Sequence, residues 1–112
     1  MENTLWEGHH YVSWDLGDDD PNKKFNLITK DQVAKWKEGQ ILRVYCSMKD
    51  DDAYHQIKLA TDWWTDLTSP YEFGEGNVMK FELTQDALDK MAAEDGFICV
   101  GHGYYVDKVT IE

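Results

Sequence analysis

Two adjacent tryptophans, Trp63 and Trp64, follow a strand-like stretch of the sequence. Successive side chains of a strand point to opposite faces, so one core cannot bury both indole rings, and at least one is expected to face water or a ligand. The chain has five Trp, six Tyr and four Phe in 112 residues, which is more aromatic surface than so small a core needs. Rigid exposed rings suit a flat, weakly charged partner such as a sugar, so part of this surface is expected to bind a ligand.

Polar groups that could bind hydroxyls precede the tryptophans. Alternation with period two turns Ile57 and Leu59 inward and leaves Tyr54, Gln56 and Lys58 together on the outer face. This row combines stacking area with amide and ammonium donors. A sugar needs both, because its ring has apolar C–H faces and a hydroxyl perimeter. An ordinary solvated sheet face has the same pattern, so both interpretations stay open at this point.

Catalytic and metal-binding patterns do not favour an enzyme. A glycosidase needs two facing carboxylates, but 22 Asp and Glu residues make chance pairs unavoidable and the signal uninformative. The sequence has no Gly-x-Ser-x-Gly motif, neither cysteine has a catalytic signature around it, and the four histidines lack metal-ligand spacing. The acidic runs 18–20 and 50–52 lack the Gly and distant Glu of a calcium loop and are interpreted as solvated turns. We therefore expect no catalysis, no metal site and no cofactor.

Charge and length restrict the partners and the organisation. The formal charge of −11 repels phosphates and anionic lipid headgroups, so neither nucleic acid nor a membrane is an expected partner. The chain is expected to form a single domain, 1–112, with no signal peptide or membrane span of its own. Because Met1 leads almost directly into a strand-like segment, we expect a domain of a longer secreted protein. Cys46 and Cys99 lie in apolar strand-like runs, where a buried free thiol is as reasonable as a disulfide.

Alternating apolar and β-branched runs, with turn signals between them, predict an all-β fold. The predicted strands cover residues 4–7, 9–15, 40–48, 54–62, 78–83, 96–101 and 104–111. Thr29 and Thr84 are capping residues before helically spaced segments, which predicts short helices that end near Gly39 and Gly96. The pattern is typical of an antiparallel, jelly-roll-like β-sandwich with one or two short helices over its open ends.

Several short motifs occur in a familiar order along the chain. They are Leu5–Gly8, Gly39–Tyr45, Tyr54–Leu59, Trp64–Leu67, Leu83–Leu88, Gly96–His102 and Lys108–Ile111. Together they resemble a β-sandwich carbohydrate-binding module of the kind appended to plant-cell-wall glycanases and to surface glycan-binding proteins of rumen and gut bacteria. The resemblance spans nearly the whole chain. It implies a non-catalytic module that binds β-glucan-type polysaccharide.

The resemblance also ranks the tryptophans. Trp64 matches a Trp-Thr-x-Leu position that is partly structural in such modules, whereas Trp63 occupies a slot that is often small or polar, so Trp63 is the better ligand candidate. Trp6 is expected to pack at the sandwich edge and Trp36 to cover the core, while the role of Trp14 stays open. The candidate carbohydrate-binding residues are Trp63, Trp64, Trp14, Tyr54, Gln56 and His102.

These observations predict a module that binds β-linked plant cell-wall polysaccharide, of the β-glucan, xyloglucan or glucomannan class, and targets an attached glycanase to its substrate. The expected location is extracellular or at the cell surface, as part of a larger bacterial protein. The alternative is a structural or protein-interaction domain of a bacterial surface or multi-enzyme assembly, in which the aromatic residues bury against a neighbouring domain. A small hydrolase is a third, less favoured alternative.

Overall fold

Six antiparallel strands and two short helices make up the fold, which a computed structural model describes over all residues, 1–112. The elements are β1 (Asn3–Ser13), α1 (Lys30–Val33), β2 (Ile41–Met48), β3 (Gln56–Thr61), β4 (Tyr71–Glu72), β5 (Asn77–Glu82), α2 (Gln85–Ala93) and β6 (Phe97–Ile111). Neither helix is long and apolar enough to cross a membrane. The expected fold class, all-β and sandwich-like with short helices, is confirmed.

The long strand β6 organises the sheet. Its C-terminal half lies between β1 and β2, and its N-terminal half pairs with β3. Because β2 and β3 pair with consecutive stretches of β6, they continue each other along one side of it, and residues 49–55 form a loop between them. The strands β5 and β4 extend the sheet beyond β2 and β3. The sheet therefore curls around one core.

The alternation seen in the sequence decides which side chains form that core. In β2 the inward residues Leu42, Val44 and Cys46 are buried, and in β3 Ile57 and Leu59 are completely buried, as predicted. Both cysteines are buried free thiols, which resolves that open question. Burial raises the pKa of the Cys99 thiol to about 12.

Capping residues start both helices where the sequence predicts them. The Thr29 side chain accepts a hydrogen bond from the Gln32 backbone N–H, and Gln32 completes a capping box. The Thr84 side chain accepts one from the Ala87 N–H, and Met91 of α2 is buried in the core. Trp36 follows α1 and is only 7% exposed, with its ring edge-on to another core ring at 5.6 Å. The prediction that Trp36 covers the core is confirmed.

Two pairs of predicted strands are single strands. The segments 96–101 and 104–111 both belong to β6, which passes through Gly101 and Gly103 at φ of 133° and 78°. A Cβ at either position would overlap a backbone carbonyl oxygen of residues 54–56 in the same chain. These glycines therefore let β6 bend and pass close to that segment, and they do not end the strand. Likewise 4–7 and 9–15 form one strand, β1, with a register shift between Glu7 and His10. The two-residue strand β4 was not predicted, because it is too short to show alternation.

Candidate functional site

The candidate site lies on the side of β3 and β6 that faces away from the core. In β3 the side chains that alternate with Ile57 and Leu59 point to this side, and each is directly opposite a residue of β6. We call this side the outer face; its residues are Gln56, Lys58 and Ala60 of β3 and His102, Val100 and Ile98 of β6, and of these only Gln56 and Lys58 are partly exposed. From Gln56 to Ala60 it extends about 13 Å, at the usual rise per strand residue.

Three aromatic side chains from distant parts of the sequence meet at one end of the outer face. We call Trp14, Tyr54 and His102 the Trp14 group. The Trp14 Nε1–H donates a hydrogen bond to the Tyr54 hydroxyl over 3.1 Å, and the Tyr54 ring lies 4.4 Å from the His102 ring, centroid to centroid. Trp14 and Tyr54 are both half-buried. Two rings and a polar edge are therefore held in one arrangement next to Gln56.

Hydrogen-bonding and acidic side chains fix His102 beneath Tyr54. Its Nδ1 lies 2.7 Å from the Ser13 hydroxyl oxygen, and its Nε2 lies 3.7 Å from Asp52 Oδ1. Asp15 adds a carboxylate 3.6 Å from Nδ1. His102 is only 9% exposed, so it supports the Tyr54 ring from below. Of the three side chains, Tyr54 and Trp14 are the ones with ring surface open to solvent.

The middle of the outer face has an ion pair over an apolar floor. Lys58 Nζ lies 2.9 Å from Asp66 Oδ1, and the lysine side chain is 17% exposed. Ala60 is buried and pairs with Asp66, so the segment after β3 folds back beside the strand. An ammonium and a carboxylate side by side can serve as donor and acceptor for sugar hydroxyls.

At the other end, both exposed tryptophans lie in a tight turn after β3, which we call the Trp turn (residues 61–65). The backbone N–H of Trp64 donates to the Thr61 carbonyl over 2.8 Å, and the Thr61 N–H donates to the Thr65 carbonyl over 2.9 Å. Trp63 is 61% exposed and Trp64 46%. Since neither residue belongs to a strand, the turn geometry and not strand alternation sets their directions.

Trp64 adopts a backbone conformation that a bulky residue rarely takes. Its φ is 69°, in the left-handed region, which costs about 1 kcal/mol or more for a non-glycine residue. The indole lies edge-on to Phe25 at 5.3 Å, and Phe25 packs against the buried floor residues Ala60, Ile98 and Val100. The strained turn thus brings the Trp64 ring to the end of the outer face.

Trp63 is tethered elsewhere. Its Nε1–H donates to Asp95 Oδ2 over 3.0 Å, and Asp95 follows α2 and pairs with Lys30 at 2.8 Å. The hydrogen bond from Lys30, followed by that from Trp63, lowers the pKa of Asp95 below its usual value of 3.8. The exposed ring of Trp63 therefore lies beside the helices, whereas Trp64 leans toward the sheet.

The structure brings most of the predicted site residues to one surface. Trp14, Tyr54, His102 and Gln56 are adjacent, and Trp64 lies at the far end of the same face. Trp63 is separated from them by its contact with Asp95. Sequence reasoning missed Phe25 and Asp66 as part of this surface. Asp66 could have been identified from the sequence, because it is a charged residue two positions after an exposed tryptophan. Phe25 could not, because it lies in a loop without periodicity.

A second concave region lies between the two helices and has different chemistry. It is a cleft of about 470 Å³ whose lining includes Val33, Trp36, Leu88 and Met91. The Trp36 Nε1–H is buried there without a hydrogen-bond partner in the protein. No exposed aromatic ring lines this cleft, and the protein has no group of three or more side chains arranged to hold a metal ion.

Comparisons with solved structures relate the chain to a glycan-binding protein. No protein-family model and no curated protein sequence matches the chain. Among solved structures, the chain is similar to SGBP-B of the mixed-linkage glucan utilization locus of Bacteroides ovatus, determined in complex with a mixed-linkage heptasaccharide. The identity is 53%, the TM-score is 0.94, and the match covers 99% of this chain. This chain spans 29% of the length of that protein.

The similarity therefore concerns one segment of a longer protein. At this identity and TM-score the two segments share their fold in detail. Along nearly its whole length, this chain is thus a relative of part of a bacterial surface glycan-binding protein, which confirms its resemblance to a β-sandwich carbohydrate-binding module.

Proposed function

We propose that this chain is a non-catalytic module that binds β-linked plant cell-wall polysaccharide on the outer face. The observation that carries this proposal is the 53% identity to a protein whose structure contains a mixed-linkage heptasaccharide. The ligand class is neutral β-glucan and related polymers such as xyloglucan and glucomannan. A neutral ligand is also compatible with the formal charge of −11, which would repel acidic polysaccharides.

The residues of the outer face have the chemistry that such a ligand requires. Trp64 at one end and Trp14 with Tyr54 at the other offer rings for the C–H faces of separate sugars. Between them, Gln56, Lys58 and Asp66 offer hydrogen bonds to hydroxyls. The stretch of β3 between the two ends, from Gln56 to Ala60, is itself about 13 Å long, so the ligand is a chain of several sugars and not a single one.

The two exposed tryptophans are proposed to contribute unequally to the affinity for the ligand. The sequence favours Trp63 as the principal ring. The packing of Trp64 on Phe25 supports giving the larger share to Trp64, and the hydrogen bond of Trp63 to Asp95 supports a flanking role for Trp63. His102 acts by positioning Tyr54.

Modest affinity is expected from this site. Each stacked ring contributes on the order of 1 kcal/mol beyond its buried area, and association and ordering offset part of the gain. A dissociation constant in the micromolar range corresponds to about −8 kcal/mol. Reversible contact of this strength suits a module that acts beside other binding domains on a polymer, where avidity raises the total affinity.

The role in the parent protein follows from the relative. A surface glycan-binding protein supports a location at the bacterial cell surface, where the module holds polysaccharide for capture. Targeting of an attached glycanase is the second form of the same role, and it requires a catalytic domain in the parent chain. In both forms the module supplies binding and no bond cleavage.

The test is affinity gel electrophoresis of the chain in gels containing mixed-linkage β-glucan, xyloglucan or glucomannan, followed by isothermal titration calorimetry with a mixed-linkage heptasaccharide. We expect retardation by at least the mixed-linkage glucan. Migration in all three gels equal to that in a gel without polysaccharide would contradict the proposal. Release of reducing sugar from any of these polymers by the isolated chain would instead point to an enzyme.

The structure offers a matched control for the site. The double variant Trp14→Ala/Trp64→Ala should migrate as in a gel without polysaccharide. Tyr71→Ala should keep the retardation of the unmodified chain: Tyr71 is 49% exposed, similar to Trp64, but it pairs with Ile57 and lies on the core side of the sheet. If both variants lose retardation equally, the binding surface is not the outer face.

A further inference from the structure

A second aromatic group lies on the same side of the sheet, beyond the Trp14 group. On β1 and the C-terminal half of β6, the inward residues Val12, Tyr104 and Val106 are completely buried. The alternating residues Tyr11 and Tyr105 point outward and are directly opposite each other, with ring centroids 5.6 Å apart. The outward side of the sheet is therefore aromatic well past the residues assigned to the proposed site.

An exposed stacked pair ends this second group. The His9 ring lies parallel to the Tyr105 ring at 3.8 Å, and His9 Nδ1 lies 2.6 Å from Asp107 Oδ1. The His9 side chain is 61% exposed, so the ring face away from Tyr105 is open. A planar ring fixed by a stack and a carboxylate contact is preorganised for another flat partner.

One carboxylate joins the two groups. The Tyr11 hydroxyl donates to Asp52 Oδ2 over 2.8 Å, and Asp52 Oδ1 lies 3.7 Å from His102 Nε2 in the Trp14 group. Burial, together with the hydrogen bond to Asp52, raises the pKa of Tyr11 to about 12. The aromatic surface thus continues from Tyr54 to Tyr11 with a hydrogen-bonding group at the junction.

We propose that His9, Tyr105 and Tyr11, together the His9 group, form a second sugar subsite for the same polysaccharide chain. The chain bound at the Trp turn and the Trp14 group continues over Asp52 and ends on the open face of His9. Residues 9 to 13 of β1 add about 13 Å of surface at the usual rise per strand residue, which a short oligosaccharide cannot cover together with the outer face. This inference rests on the proposed function and extends it to ligand length.

Calorimetry with mixed-linkage trisaccharide, heptasaccharide and polymer tests the second subsite. The unmodified chain should bind the heptasaccharide and the polymer about fivefold more tightly per site than the trisaccharide, because only the longer ligands reach both ends. His9→Ala and Tyr105→Ala should remove that difference and leave the trisaccharide affinity unchanged. His9 is exposed, so His9→Ala keeps the fold, and thermal unfolding checks it for both variants.

The outcomes separate this inference from the function it rests on. Equal affinity for trisaccharide and heptasaccharide in the unmodified chain, or a length dependence that survives unchanged in His9→Ala, would overturn the second subsite and leave the proposed function standing. Absence of binding to all three ligands would overturn both. Loss of trisaccharide affinity in His9→Ala would also overturn it, because His9 would then belong to the principal site.

Discussion

The two ends of the outer face are built in opposite ways. In the Trp14 group two half-buried rings lie next to a buried one, and the side chains contact one another: Trp14 donates to Tyr54, Tyr54 lies over His102, and His102 contacts Ser13. The Trp turn presents large exposed rings on a tight turn in which Trp64 has a positive φ. One end is held by contacts between side chains, and the other by hydrogen bonds within a tight backbone turn.

This difference suggests that the two ends contribute differently to binding, one to selectivity and the other to affinity. Hydrogen-bonded rings such as those of the Trp14 group hold polar edges at fixed directions, which favours selection among sugar orientations. Exposed rings on a turn supply contact area with few directional constraints. We therefore expect substitutions in the Trp turn to reduce affinity for all ligands, and changes within the Trp14 group to alter the preference among them.

The largest expected effect comes from the backbone under the Trp14 group. Gly101→Ala adds a Cβ that overlaps the carbonyl of Gln56 at a φ of 133°, so we expect a loss of about 3 kcal/mol or more in the free energy of unfolding. Urea denaturation followed by tryptophan fluorescence measures it. Gly74→Ala is the control, because a Cβ there meets nothing within 4 Å, and a change within about 0.5 kcal/mol is expected. Equal stability of the two variants would contradict the close approach at Gly101.

The second expected effect separates the two exposed tryptophans. Trp64→Ala should weaken heptasaccharide binding about tenfold and Trp63→Ala about threefold or less, because Trp64 leans toward the sheet and Trp63 toward Asp95. Calorimetry gives both numbers. Trp64→Gly should bind as weakly as Trp64→Ala yet be more stable by about 1 kcal/mol, since glycine accepts the positive φ. The reverse order of affinities would restore the ranking predicted from the sequence.

Much of the fold was predictable because it depends on local patterns. Alternation assigned the inward residues of β2 and β3, and Thr29 and Thr84 marked both helix starts. The continuity of β6 was not predictable, because Gly101 and Gly103 have the same local pattern whether they end a strand or bend it. Only the carbonyl oxygens of a distant segment, close to both glycines, decide between these outcomes.

The residue types of the candidate site could be predicted from the sequence, but the way the fold brings them together could not. Exposed aromatic residues with neighbouring amide and hydroxyl groups could be recognised one by one. The contact of Trp14 with Tyr54 joins residues 40 positions apart and follows from the pairing of β1 and β3 with β6. The directions of Trp63 and Trp64 depend on a turn with a positive φ, which strand alternation does not describe.

A smaller effect is expected from one hydroxyl of the Trp14 group. Tyr54→Phe keeps the ring and leaves the Trp14 Nε1–H without its acceptor, so affinity should fall about fivefold, or about 1 kcal/mol. If the group selects sugar orientation, the loss differs between mixed-linkage glucan and glucomannan. Tyr45→Phe is the control. The Tyr45 hydroxyl donates a hydrogen bond of 2.6 Å to Glu2, and neither residue belongs to the outer face. Equal losses for both polymers would argue against a role in selectivity.

The smallest effect is an acid-induced loosening of the Trp turn. Hydrogen bonds from Thr65 and Thr61 hold the pKa of Glu94 below 4.5, and those from Lys30 and Trp63 hold that of Asp95 below 3.8. A depressed pKa in the folded state means that each carboxylate stabilises the fold above its ordinary pKa and loses this contribution as pH falls through the folded value. Tryptophan emission recorded from about pH 6 to about pH 3 should therefore shift at the acid end, before global unfolding.

Two variants assign that shift to Trp63. Asp95→Asn retains a hydrogen-bond acceptor that does not titrate, so the part of the shift due to Trp63 should disappear. Trp63→Phe removes the indole that reports on it, so the same part should be missing for a different reason. A shift unchanged in both variants would mean that Asp95 does not hold Trp63. The turn would then owe its rigidity to the hydrogen bonds within residues 61–65 alone, and the exposed ring of Trp63 would be as free to meet a sugar as that of Trp64.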